Sequence, residues 1–177
     1  DGSINVQDII LIVNMILDGG SSAVADVNGD GSINVQDIIL IVNMILDSRS
    51  VDATRAEVIR MPGQLLVQSD GFIGAIEMTL SHGFDFSIDL TDQAMVAEYR
   101  TSGNYTKVII VVPGTDELFT HVGDFEIVDM IVANSRGRIY VGIPTEFKLS
   151  EAYPNPFNPS TTVDLMIPEA GHVLVMV

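Results

Sequence analysis

The sequence predicts a mainly β chain, an antiparallel β-sandwich preceded by a small α-helical unit, and three observations carry that expectation. Residues 1–18, DGSINVQDIILIVNMILD, recur without a change as residues 30–47, and each copy runs into an apolar stretch of helical length. From about residue 53 onward, short runs alternate apolar and polar residues with a period of two. Those runs are separated by turn signals at 69–71 (Ser-Asp-Gly), 102–104 (Ser-Gly-Asn) and 134–137 (Asn-Ser-Arg-Gly).

The repeat carries chemistry as well as structure. The second copy is preceded by Asp26-Val27-Asn28-Gly29, so that counting from Asp26 places Asp26, Asn28, Asp30, Asn34 and Asp37 at positions 1, 3, 5, 9 and 12, with Gly31 at 6 and Ile33 at 8. Side-chain oxygens at alternate positions, a backbone carbonyl at Ser32 and a glycine for the sharp turn are the order in which a hard cation is wrapped. Ca2+ is the natural occupant. Three aspartates give the loop a charge of about −3 against +2, so cation binding and local folding are expected to be coupled. A plain acidic Asn-Gly/Asp-Gly turn would leave most of the five matched positions unexplained.

The first copy enters at loop position 5. Asp1, Ser3, Asn5 and Asp8 correspond to Asp30, Ser32, Asn34 and Asp37, while counterparts of Asp26 and Asn28 are missing. Residues ahead of Asp1, water or a neighbouring molecule are the ways to complete such a half-site.

No entering helix precedes either loop, since Gly19-Gly20-Ser21-Ser22 lies before the second. Two loop-plus-exit-helix units set 29 residues apart, with aspartate at position 12 in Asp8 and Asp37, resemble a dockerin, the calcium-dependent plug that fits a cohesin domain. The resemblance covers residues 1 to about 48 and implies the ten calcium ligands just named. It departs in the helices. After Asp37 the sequence runs Ile-Ile-Leu-Ile-Val-Asn-Met-Ile-Leu over 38–46, with one polar residue in nine. A helix apolar on all sides must be covered on more than one side. The two helices can cover one face of each other; the rest falls to the following sandwich or to another protein. Asn14 and Asn43 interrupt the runs far short of the roughly 20 residues a membrane span needs.

With 177 residues there is room for a modest domain beside the small loop–helix unit. Eight Lys plus Arg against 24 Asp plus Glu give a net charge of −16, which repels nucleic-acid phosphates and anionic lipid alike. Absence of cysteine excludes disulfides and thiolate chemistry. A calcium loop of this kind works best where calcium is near millimolar, which points outside the cell.

Candidate strands lie at 64–68, 76–80, 84–90, 95–100, 105–112, 124–133 and 138–143, eight or so at such spacing and without a convincing helix among them, as an antiparallel sandwich of Ig type requires. In the clearest, Ile76, Met78 and Leu80 alternate with Glu77 and Thr79. The segment 69–78, SDGFIGAIEM, looks like the early strands of cohesin-like domains. At the end, 149–162, LSEAYPNPFNPSTT, is similar to the opening of the C-terminal sorting domain of bacterial type IX secretion. Three prolines in six residues make it an extended connector. Strands at 162–167 and 172–177 are expected after it, and the second, HVLVMV, is apolar enough on both faces to need covering, by further strands beyond residue 177 or by the sheet of a neighbouring subunit. The resulting organisation is a loop–helix unit over 1–50, a sandwich over 51–148 and a terminal segment over 149–177.

Catalytic signals are few. His82, His121 and His172 have no ligand spacing, acidic pairs such as Asp116-Glu117 and Asp124 with Glu126 read as solvated, and no nucleophile elbow, zinc-protease motif or phosphate loop occurs. The chain has no Trp and four Tyr, which disfavours a carbohydrate-binding platform. The Asn104-Tyr105-Thr106 sequon is too common a pattern to carry weight. The expected reading is a non-enzymatic, extracellular, calcium-binding structural subunit that joins copies of itself head to tail, with a cohesin- or dockerin-type protein as the other partner class. The competing reading is the non-catalytic anchoring tail of a larger secreted hydrolase.

Overall fold

The computed structural model describes residues 2–46, 51–143, 148–149, 152–153, 156, 159–163, 165–166 and 174. Two helices come first, α1 (Val6–Asp18) and α2 (Val35–Ile45). Each starts at an asparagine, Asn5 or Asn34, whose side chain accepts a backbone N–H of the first turn, while the aspartate three residues on accepts the N–H of the asparagine. These reciprocal capping boxes satisfy donors that would otherwise be orphaned. At the end of α1 the N–H of Gly20 bonds back to the Met15 carbonyl at 2.9 Å.

The strands are β1 (Arg55–Met61), β2 (Gln64–Ser69), β3 (Ala75–His82), β4 (Ser87–Leu90), β5 (Ala94–Ser102), β6 (Tyr105–Pro113), β7 (Glu117–Val122), β8 (Phe125–Ala133), β9 (Tyr140–Gly142), β10 (Lys148–Leu149) and β11 (Leu165–Met166). They form a five-stranded sheet, β4-β7-β2-β1-β9, a four-stranded sheet, β5-β6-β3-β8, and the small pair β10-β11. Pairing is antiparallel throughout except where β9 joins β1 in parallel. The fold is therefore the two-sheet sandwich with preceding helices that the alternation predicts.

Particular strands differ from expectation. β1 and β7 were not marked by the pattern, and Glu117 opens β7 rather than lying in a turn. The strand expected over 84–90 begins only at Ser87, because Gly83 to Phe86 turn the chain; Phe84 is 97% exposed. Leu165–Met166 pairs with Lys148–Leu149, ahead of the proline connector, and Tyr153 bridges Thr162. Of the strand expected over 172–177 only Leu174 is among the described residues, 81% exposed and in no strand; His172 lies outside them.

The four-stranded sheet is covered on both sides. Toward the other sheet it sends Ile76, Met78, Leu80, Val108, Ile110 and Val132, which pack with Val58, Leu65, Val67, Leu118 and Phe119. Toward the helices it sends Ala75, Ile109, Val111 and Ala133, together with Val96, to meet Ile9, Val13, Ile38, Ile39 and Val42. Residues 108–111 are consequently buried without interruption, as a strand covered on both faces must be. Gly74, beside the start of β3, makes room for this: a Cβ there would lie 2.3 Å from Ile39 Cδ1. One face of the helix pair is thus covered by the sandwich of its own chain, while Leu11 and Met44 stay exposed. Among the described residues no helix is long and apolar enough to cross a membrane.

Candidate metal loop and docking face

The loop Asp26–Asp37 is held by its own side chains. Asp26 accepts the N–H groups of Asp30 at 3.1 Å and Gly31 at 3.0 Å; Asn28 Oδ1 accepts that of Asp30 at 2.8 Å. Asp30 Oδ1 accepts the N–H of Ser32 at 2.8 Å, and its other oxygen accepts the amide of Asn28 at 2.9 Å. These short-range turns curl the loop on itself, helped by Gly31 at φ +85°, a conformation that side-chain-bearing residues avoid. Position 12, Asp37, is fully buried. It accepts the N–H groups of Val27 at 2.8 Å and Asn28 at 3.1 Å on one oxygen and that of Asn34 at 3.0 Å on the other.

In kind, the donor set fits a hard divalent cation: three carboxylates, two amide oxygens and the Ser32 carbonyl, all from one short loop. Asp26, Asn28, Asp30, Ser32, Asn34 and Asp37 are the residues that would hold it. They are not drawn to a single point here, and among the described residues no three carboxylate or imidazole groups converge as a metal cluster. A bound cation would supply the positive charge that lets the carboxylates approach. In the first copy Asn5 and Asp8 repeat the cap, with Asp8 accepting the Asn5 N–H at 2.9 Å and Asn5 Nδ2 donating to the Ser3 carbonyl at 3.3 Å. Asp1 lies outside the described residues.

The docking face adds residues that loop spacing does not mark. Glu77 on β3 faces the helices; Lys107 on β6 donates to it at 3.1 Å and the Val35 N–H donates at 3.3 Å. Asn43 on α2 donates to the Ser135 carbonyl at 2.7 Å. Asp18, at the end of α1, pairs with Arg100 on β5. An acid flanked by apolar neighbours, as Glu77 is between Ile76 and Met78, was the available signal. On the far side of the helix pair, Ile4, Leu11, Met15, Val24 and Met44 line an open apolar groove of about 410 Å³.

The two described histidines are packed. His82 bonds the Thr106 hydroxyl at 2.7 Å and the Gly83 carbonyl at 2.9 Å, and its ring stacks on Phe86 at 4.3 Å. His121 bonds the Gly123 carbonyl at 2.9 Å and meets Phe125 edge-on at 4.9 Å.

Comparison with known proteins accords with the loop geometry. Residues 1–54 match the family described as Dockerin type I domain. That segment, two loop-and-helix units, is similar to a dockerin type I domain, and it is followed by the sandwich. Among solved structures, the "Non-cellulosomal cohesin from the hyperthermophilic archaeon Archaeoglobus fulgidus" superposes with a TM-score of 0.31 at 16% identity, covering 54% of this chain and 86% of that one. No curated protein matches.

Proposed function

We propose that this chain is an extracellular, calcium-binding structural subunit, without catalytic activity, in which the loop–helix unit acts as plug and a cohesin-like sandwich as socket. Copies then join head to tail, the plug of one seated on the sandwich of the next. A heterologous contact that does not close propagates into a filament. The observation that supports this reading is the seating of α1 and α2 on the outer face of the four-stranded sheet, through a continuous apolar interface. The same surfaces can be buried within one chain or exchanged between chains at little difference in contact energy. Calcium at the loop Asp26–Asp37, and at the partial loop Asp1, Ser3, Asn5 and Asp8, holds the plug in shape. The cell surface of a bacterium, where calcium is plentiful, suits such a device.

Electron microscopy of the native material before and after chelation tests it. Filaments or short oligomers that fall apart on calcium removal are expected. Single particles under both conditions would overturn head-to-tail assembly.

The second reading, the anchoring and sorting tail of a larger secreted hydrolase, is favoured by the small β10-β11 pair and the proline connector between its strands. It requires native material tens of kilodaltons heavier than this chain, which intact-mass measurement decides.

A further inference from the structure

We propose that Glu77, a sandwich residue outside the loop, is a positioning residue for calcium at Asp26–Asp37, so that seating the helices on the sandwich raises the loop's affinity for the cation. The inference rests on the reading that this loop binds calcium. Glu77 is 7% exposed and divides its two oxygens between two elements. Oε1 takes the Lys107 ammonium of β6 at 3.1 Å; Oε2 takes the Val35 N–H at 3.3 Å.

Val35 is the first residue of α2 and loop position 10, between Asn34 and Asp37. A helix start leaves its first N–H groups without partners inside the helix. Here the Gln36 N–H goes to Asn34 Oδ1 at 2.8 Å and the Asp37 N–H to the Asn34 carbonyl at 3.1 Å. The Val35 N–H goes to the sandwich. A carboxylate brought in from β3 therefore completes the cap that orients Asn34 and Asp37, and the positive end of the helix favours an anion there.

Further along, α2 is fixed as well, by Ile39 resting over Gly74 and, near its end, by the Asn43 bond to Ser135. The helix start cannot drift far without breaking the Glu77 contact. If the loop carboxylates spread for want of a cation, the Val35 bond lengthens and the half-buried Glu77–Lys107 pair loses a partner. If the helices lift off, the cap loses its third acceptor. Coupling of this kind is reciprocal, so calcium strengthens docking by the factor by which docking strengthens calcium binding.

The test is calcium titration of the full chain by calorimetry, with thermal melts run in calcium and in chelator. Glu77→Gln keeps the shape and removes the charge. Val35→Pro removes the N–H while suiting the first helical position, and Asn34 before it is already extended at φ −151°. Each should weaken calcium binding on the order of tenfold, and the two together no more than either alone. Asp89→Asn, an exposed charge on β4, should change nothing. Equal loss in Asp89→Asn would make the effect general electrostatics and overturn the proposal. So would Glu77→Gln melting lower by the same amount with and without calcium while the affinity holds, which is a stability role alone. Wild-type protein that takes up no calcium overturns the calcium reading itself.

Discussion

Two copies of one sequence sit side by side in this molecule and are used differently. Their caps are the same to within a few degrees, Asn5 at φ −153°, ψ −175° and Asn34 at φ −151°, ψ −174°. Their surroundings are not. Among the described residues Asp8 accepts one backbone N–H, whereas Asp37 accepts three and is fully buried. Ile10 is 40% exposed and its twin Ile39 is 2% exposed. Asn14 donates to the Ile10 carbonyl of its own helix at 3.0 Å; Asn43 reaches across to Ser135. Local chemistry determines where a helix begins, and the rest of the chain determines what each of its faces is worth.

Matched substitutions measure that difference. Ile39→Ala should lower stability in urea denaturation by about 3 kcal/mol, and Ile10→Ala by under about 1 kcal/mol, because only the first opens a cavity between α2 and β3. Equal losses would mean the helices are not seated on the sandwich in solution. In calcium-free buffer, Asp37→Ala should lose about 2–3 kcal/mol by stranding buried N–H groups, against about 1 kcal/mol for Asp8→Ala, which is a cap alone. Asn43→Ala should lose about 1 kcal/mol, while Asn14→Ala should be within about 0.5 kcal/mol of neutral, since alanine is the better helix former.

Acid provides a change common to both copies. The Thr54 hydroxyl, then the Arg55 and Thr54 N–H groups, hold the Asp70 carboxyl down from 3.8 to about 2. A lowered carboxyl stabilises the fold above its unfolded value and loses that contribution as pH falls from about 3.8 toward 2. Melts across that window should show a small decline that Asp70→Asn flattens, with the Ile39 and Ile10 variants shifting in parallel. Asp70 is exposed, so this is the smallest of the effects.

Much of this was legible in the chain. Loop spacing marked Asp26 to Asp37, which the structure shows curled on its own side chains, and the alternation of Ile76, Met78 and Leu80 gave the sandwich its clearest strand. The same alternation assigned Glu77 to an outward face, correctly as to direction, but that face is roofed by a helix from 42 residues earlier. No local pattern encodes a contact of that span. The uninterrupted Val108-Ile109-Ile110-Val111 was the trace of the second cover. β1 and β7 were obscured because their inward residues, such as Ala56 with Val58 and Leu118 with Phe119, make short or irregular alternations. Phe84 misled the reading by continuing the period of β4 into a turn.

The order of the elements along the chain bears on how the protein is made. The helices leave the ribosome before the sandwich, and the surface that buries them is complete only at Ala133. At about 5–20 residues per second, two sticky apolar helices wait on the order of ten seconds for their cover. A nascent chain of this kind needs a holding chaperone, or a compartment in which its helices meet calcium and sandwich together.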